Sequence, residues 1–185
     1  MSVAVHPLTP DRWGDFEALM GPKGGAEGCW CMLWRHSAKA HRQMQGDANR
    51  QAMEALVAER PTGLLAYRDG VPSGWISIAP RGEFPRMDGS RILKPVDEAE
   101  VWSVTCFFIA KAARRAGLPE ALLTVACDWA ASEGARIVEG YPIDPLSARY
   151  TNAFAWTGYK TVFDRCGFEE VARRSEKRPL MRRSL

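Results

Sequence analysis

The stretch Arg114-Arg115-Ala116-Gly117-Leu118-Pro119-Glu120 sets two guanidinium groups and a glycine directly before a run of helical spacing. The first turn of a helix carries backbone N–H groups with no internal partner. Those donors and the helix dipole favour an anion such as a pyrophosphate. Arg114 and Arg115 add cationic contacts, and Gly117 lets the backbone approach a ligand closely. A basic surface turn explains the same residues equally well. A second group is Cys29-x-Cys31 followed by His36 and His41. Structural zinc sites use wider paired spacings such as Cys-x2-Cys. The single residue between Cys29 and Cys31 leaves little room to wrap a tetrahedral ion, so both are expected as small buried residues and no metal is expected. Cys106 has no histidine near it in sequence, which favours inert packing over a nucleophilic role.

Several elements must position these residues. Residues 98–109, rich in Val, Thr, Trp and Phe, are the longest strand candidate. Residues 117–132 read as a helix with Leu118, Leu122, Val125 and Trp129 on one face. Residues 136–141 follow as a strand. This strand–helix–strand unit predicts one right-handed parallel crossover inside an otherwise antiparallel sheet. Upstream, the pattern predicts a strand at 3–5, a helix at 11–20 capped by Thr9 or Asp11, and a glycine-rich loop at 21–28. A long helix over 38–59 should end before Pro61, followed by strands at 63–67 and 73–78 joined by Arg68-Asp69-Gly70. Residues 80–95 read as a loop. Downstream come a short helix at 157–166 ended by Gly167, then strands at 168–174 and 179–183.

Arg114-x-x-Gly117-x-Pro119 after a strand resembles the coenzyme A pyrophosphate loop of the GNAT superfamily of N-acetyltransferases, whose usual form is Arg/Gln-x-x-Gly-x-Gly/Ala. Ile109 falls on that family's small apolar position five before the arginine, and Ala121-Leu122-Leu123 matches its small-Leu-Leu helix start. Val162-Phe163-Asp164-Arg165-Cys166-Gly167-Phe168 resembles the later block Leu-Tyr-x-x-x-Gly-Phe. The two blocks stand in the right order and together cover residues 98–174, whereas residues 1–60 carry no family motif. The resemblance implies an α+β fold: a GNAT-like central mixed, mostly antiparallel sheet flanked by helices, with one parallel β-α-β crossover holding the coenzyme A loop. It implies one N-acetyltransferase domain over residues 1–185. Backbone groups of Phe107, Phe108 and Ile109 would pair with the pantetheine arm as an added strand. Arg114, Arg115, Ala116, Gly117, Leu118, Pro119 and Glu120 would hold the pyrophosphate. An acceptor amine would attack acetyl-CoA directly, with a strand N–H near Cys106–Phe108 stabilising the oxyanion.

Three departures from the family pattern bear on chemistry. Pro119 suits the first turn of a helix but has no N–H to give a phosphate. Phe163 stands where many members carry a tyrosine that protonates the leaving thiolate; Tyr159, one turn earlier, is the candidate replacement, with a packing role and a water as proton source as the alternative, and Trp156 stands in the register of a frequent asparagine. Ser103 lies near the register of a frequent strand glutamate, and Glu100, Glu139 and Asp144 are alternatives of which none is favoured. In the family, the region after the first helix often walls the acceptor site. Trp30 and Trp34 facing Trp102 are therefore the expected aromatic pocket, with ordinary core packing as the alternative.

The composition narrows the function classes. Of 185 residues, 46% are apolar and 25% charged, a globular balance, and no apolar run approaches the length of a membrane span. The N-terminus lacks a secretory pattern, so a cytoplasmic location is expected. Five cysteines, an odd number, argue against a disulfide framework. A net charge of +3 with scattered basic residues argues against nucleic acid, and the basic tail over 173–183 reads as a solvated strand face. The expected reaction is acetyl transfer from acetyl-CoA to the amine of a small acceptor. The expected partners are acetyl-CoA and that amine, with no nucleic acid, no membrane and a homodimer admissible. The alternative is a catalytically silent GNAT-like module that binds acetyl-CoA and regulates a partner.

Overall fold

Asp69 and Gly70 both take positive φ, 49° and 80°, the geometry of a tight two-residue hairpin turn. They join β2 (Gly63–Arg68) to β3 (Val71–Pro80), and β1 (Val3–Pro7) pairs antiparallel with β2. In the computed structural model, which describes residues 2–114, 117–145 and 155–185, these strands open a seven-stranded sheet of order β1-β2-β3-β4-β5-β7-β6. The remaining strands are β4 (Trp102–Ile109), β5 (Ile137–Gly140), β6 (Glu169–Arg173) and β7 (Pro179–Ser184). Every pairing is antiparallel except β4 with β5, so the expected single parallel crossover is present.

Helices cover both faces. α4 (Leu118–Ser132) makes the crossover and buries Leu118, Leu122, Leu123, Ala126, Cys127 and Ala130 on one face of the sheet. α5 (Lys160–Arg165) adds Val162 and Phe163 to the same core. The other face receives Trp13, Phe16 and Met20 of α1 (Trp13–Met20) and Met53 and Val57 of α3 (Asp47–Glu59), packed on Leu65 and Trp75. The helix expected over 11–20 begins instead with a 3-10 turn, Pro10–Arg12, and Thr9 accepts from the Arg12 guanidinium rather than capping. The helix expected over 38–59 is two helices. α2 (Ala38–Gln43) and α3 are separated by Gly46 at φ 77°, a left-handed conformation that a helix cannot pass through. Residues 98–101 lie outside β4, which starts at Trp102.

β4 and β5 stay together for three pairs only: Trp102 with Val138, Ser103 with Glu139 and Val104 with Gly140. Two features part them. Thr105 is an extra residue in β4 relative to β3, a bulge that adds local twist. On the α4 face the Phe163 ring lies where a Gly140 side chain would stand; an added Cβ would come within 2.0 Å of it. Beyond the split, Ile143 bridges Tyr159, and the Phe107 N–H donates to the Trp156 carbonyl at 2.6 Å. Residues 156–160 thus line the gap that opens between the two strands.

The paired ends below the split are tied by a buried polar network. Glu139 is fully buried. Its carboxylate accepts from the Tyr141 hydroxyl at 2.5 Å and from Arg182 Nε at 2.7 Å, with Arg81 Nη1 at 3.4 Å. With its proton committed to Glu139, the Tyr141 oxygen accepts from Arg81 at 2.7 Å and from the Ser103 hydroxyl at 2.9 Å. Arg182 also pairs with Asp97, and Arg81 with the Leu93 carbonyl. Burial, then the adjacent carboxylate, pushes the Tyr141 hydroxyl pKa far up, so it stays protonated as the donor.

Two predictions follow from this scaffold. Glu139→Gln keeps the shape but removes the buried charge that Arg81 and Arg182 share, leaving each only its more exposed carboxylate partner, Asp88 or Asp97; urea unfolding should show a loss of roughly 3 kcal/mol. Gly140→Ala forces a methyl into the Phe163 ring; the urea midpoint should fall by the equivalent of about 2 kcal/mol. An unchanged midpoint for either variant would contradict the packing described.

Candidate active site

The turn after β4 begins as a 3-10 segment, Lys111–Ala113, and Arg114 follows in extended conformation. Gly117 takes φ 70° as the N-cap of α4, a left-handed position that suits glycine, and its carbonyl accepts the first helical N–H from Ala121 at 3.1 Å. Leu118, Pro119 and Glu120 form the first turn, so Leu118 and Glu120 present N–H groups along the axis and Pro119 presents none. The Glu120 carboxylate is held by Arg165 at 3.0 Å. Arg115 and Ala116 lie outside the described residues. Pro119 thus removes one amide from the α4 terminus, and an exposed arginine, Arg114, stands at its entrance.

The three β4 residues expected to receive an extended ligand are not equivalent. Backbone groups alternate between the two edges of an antiparallel ladder. Phe108 pairs with Trp75 and turns its backbone towards β3, whereas Phe107 and Ile109 face the split. The Phe107 N–H is already taken by Trp156. Among the described residues the Ile109 carbonyl is approached only by Arg114 Nε, at 3.4 Å. Of the edge expected along Phe107, Phe108 and Ile109, the backbone of Phe107 and Ile109 thus faces the split, with Trp156 on the Phe107 N–H, and that of Phe108 faces β3.

Beside this edge lies a pocket of about 220 Å3. Its walls come from the segment 24–34, from His41 and Gln45 at α2, from Cys106, Phe107 and Phe108 of β4, and from Trp156. One contact between glycines builds it. The Gly46 N–H donates to the Gly28 carbonyl at 3.0 Å, Asn49 Nδ2 donates to the same oxygen at 3.0 Å, and a Cβ on Gly28 would stand 2.4 Å from the Gly46 nitrogen. This junction seats the α2–α3 break against the 24–34 segment and carries His41 and Gln45 to the pocket. Within that segment Glu27, Trp30 and Cys31 all take positive φ, between 46° and 58°. Such conformations are costly for residues with side chains and collect at functional sites.

The predicted aromatic wall is rearranged. Trp30, only 7% exposed, is core, packed on Trp13 and Phe16 with ring centroids 6.4 and 6.1 Å away. Trp102 lies on the α4 face of the sheet, edge-on to Trp129 at 5.2 Å, and the Thr105 bulge breaks the alternation so that Cys106 and Phe108, not Trp102, reach the other face. Trp34 does line the pocket and meets Trp156 at 5.9 Å, with Phe107 and Phe108 completing the aromatic surface. Trp156, Phe107 and Phe108 were legible as residues but not as a wall, because their meeting depends on the split. Tyr159 is not on a helix face: it is the extended residue before α5, half-buried against the α4-side core, and does not line the pocket.

Three of the cysteines meet in this pocket. Cys29, Cys31 and Cys106 all line it. Cys31 Sγ accepts from the Trp75 indole at 3.0 Å. Interaction with the Cys106 thiol and the Trp75 donor lowers the Cys31 thiol pKa, while the same contact and burial raise that of Cys106. Burial, then the neighbouring Cys31, pushes the Cys29 thiol up to about 11. Among the described residues no group of three or more His, Cys, Asp or Glu side chains is arranged to hold a metal ion. The carboxylates weighed as bases also stand apart: Glu139 is locked in its network, Asp144 pairs with Arg173 at 2.8 Å, and Glu100 is exposed ahead of β4.

No helix among the described residues is long and apolar enough to cross a membrane. The fold is that of several solved acetyltransferases. A GNAT-family acetyltransferase from Listeria monocytogenes superposes with a TM-score of 0.59 at 12% identity, over 99% of this chain and 95% of that one. The PaiA N-acetyltransferase of Thermoplasma acidophilum, solved in complex with coenzyme A, gives 0.56 at 11% identity over 100% of both chains. A GCN5-related N-acetyltransferase from Kribbella flavida gives 0.56 at 18% identity over 99% and 98%. No curated protein matches the sequence significantly. The model of the acetyltransferase (GNAT) family matches residues 29–142, more than half of the chain and a span that holds the β4–α4 turn, and on that match this chain belongs to the GNAT family.

Proposed function

We propose that the chain is an acetyl-CoA-dependent N-acetyltransferase that works as one domain over residues 1–185 and acts on a small, largely apolar amine. The observation that carries this reading is a juxtaposition. The free edge of β4 at Ile109, the N-terminus of α4 and the pocket walled by Trp34, Phe108 and Trp156 follow one another along the same strand end. An extended thioester laid along that edge would have its phosphates at the helix terminus, where partial positive charge collects. Its acyl group would reach the pocket mouth.

The residues present suit coenzyme A in part. Arg114 at the entrance and the Leu118 and Glu120 amides are the donors for the pyrophosphate, and Pro119 costs one of them. Bound acetyl-CoA supplies an activated acyl carbon. The chain's own contribution is to align it, to keep water from the thioester with an apolar wall, and to seat the amine. An amine held there attacks the carbonyl carbon, the N–C bond forms, and the C–S bond breaks to release the free thiol. The lining, rich in aromatic rings and sulfur with Glu27 at an exposed position, favours an amine on an apolar body over a polycation.

The test is binding followed by turnover. Purified protein should bind acetyl-CoA below millimolar concentration, and Arg114→Ala should weaken that binding roughly tenfold through loss of a charge-assisted contact. Against a panel of primary alkyl and arylalkyl amines, at least one should drive release of free coenzyme A thiol. Binding without release across the panel would favour a silent regulatory module, and absence of binding would remove the coenzyme A reading altogether.

A further inference from the structure

Two pocket-lining residues carry a buried side-chain nitrogen with no hydrogen-bond partner among the described residues: Trp34 at Nε1 and His41 at Nδ1. His41 is only 8% exposed. Buried imidazole nitrogens are normally paired, and an unpaired one at a ligand-sized pocket points to a polar group that arrives with the substrate. Trp34 can only donate, whereas a neutral imidazole has one nitrogen free to accept.

We propose that His41 is the proton acceptor for the attacking amine. The proposal rests on the acetyl-transfer reading and identifies the group that no sequence motif marked. Its support is geometric first. α2 is anchored by Ser37, whose hydroxyl accepts the Ala40 N–H at 3.2 Å, and by the Gly28–Gly46 junction, so His41 is held in the wall that also contains Cys106, Phe107 and Phe108. The other titratable groups of that wall do not compete. Glu27 is exposed, the Cys31 sulfur already accepts from Trp75, and Cys29 and Cys106 are held as thiols.

The electrostatic surroundings agree. The charged and titratable groups that face His41 are Arg86, which donates to the Leu33 carbonyl and stands over Trp34, and His36. Burial lowers the His41 pKa first, and Arg86 and His36 lower it further. The imidazole is therefore neutral at physiological pH, which a general base requires. A neutral amine enters, its nitrogen bonds to the acyl carbon, and His41 takes a proton from that nitrogen. As the C–S bond breaks the proton passes to the leaving sulfur, giving amide and free thiol.

The sign of the pH dependence follows from the lowered pKa. Turnover should be low where His41 is protonated and should rise to a plateau as pH passes its depressed value, below the ordinary histidine range. The experiment measures kcat against pH for wild type and His41→Gln with an amine that releases thiol, alongside calorimetric binding of acetyl-CoA. His41→Gln should lose roughly 100-fold in kcat and its acidic limb, with acetyl-CoA affinity unchanged. Added imidazole should restore part of the rate to His41→Ala. A His41→Gln enzyme within about twofold of wild type, with the acidic limb intact, would overturn the assignment. So would a wild-type profile that shows no acidic limb down to the pH at which the protein unfolds. A wild type that binds acetyl-CoA but is inert towards every amine would instead overturn the acetyl-transfer reading, and the His41 role with it.

Discussion

β4 and β5 run parallel for three residue pairs and then part, and the rest of the site depends on where that happens. Parallel strands normally continue until a turn ends them. Here the Thr105 bulge twists β4 away, and the Phe163 ring, seated over the side-chain-free Gly140, occupies the α4 face at the point of departure. Below it, Glu139 is held by Tyr141 and Arg182 while Ser103 ties the network to β4. A network of buried charges adds little net stability compared with apolar packing, but it disfavours any register that leaves a charge unpaired. The split is thus fixed on one side by volume and on the other by charge.

The N-terminal third of the chain uses a different device. The Gly28–Gly46 contact and the left-handed conformations of Glu27, Trp30 and Cys31 fold the 24–34 segment over the end of β4. The same turn sends the Trp30 ring into the core and leaves Trp34 at the pocket. Backbone strain in that segment is offset by the packing of Trp30 against Trp13 and Phe16. The β4 edge and the pocket are therefore built from segments far apart in the sequence, which meet at β4 and where Trp34 packs on Trp156.

What could be read from the residues follows from this division. The β4–α4 crossover is local in sequence, its helix has a clear apolar stripe, and its turn requires glycine; all three were legible in 98–132. The break at Gly46 was not, because helical spacing runs through 38–59 and a single glycine is tolerated in many helices. With the break unseen, His41 was placed on a continuous helix rather than in a pocket wall. The separation of Trp102 from the pocket was not legible either, because the Thr105 bulge that breaks the alternation along β4 leaves no mark in the residue pattern. Glu139 was weighed as a base, yet only the structure reveals the two arginines and the tyrosine that commit it, since Arg81 and Arg182 arrive from 58 and 43 residues away. Long-range pairing of this kind leaves no periodic trace in a single sequence.

The central claim is that the free edge of β4 and the terminus of α4 serve one ligand whose reactive end opens into the Trp34–His41 pocket. A crystal structure with coenzyme A bound tests it most directly. The account predicts the pyrophosphate at the Leu118 and Glu120 amides, the pantetheine arm along Ile109, and the sulfur facing the pocket. Coenzyme A seated away from both the β4 edge and the α4 terminus, or with its sulfur turned from the pocket, would contradict it.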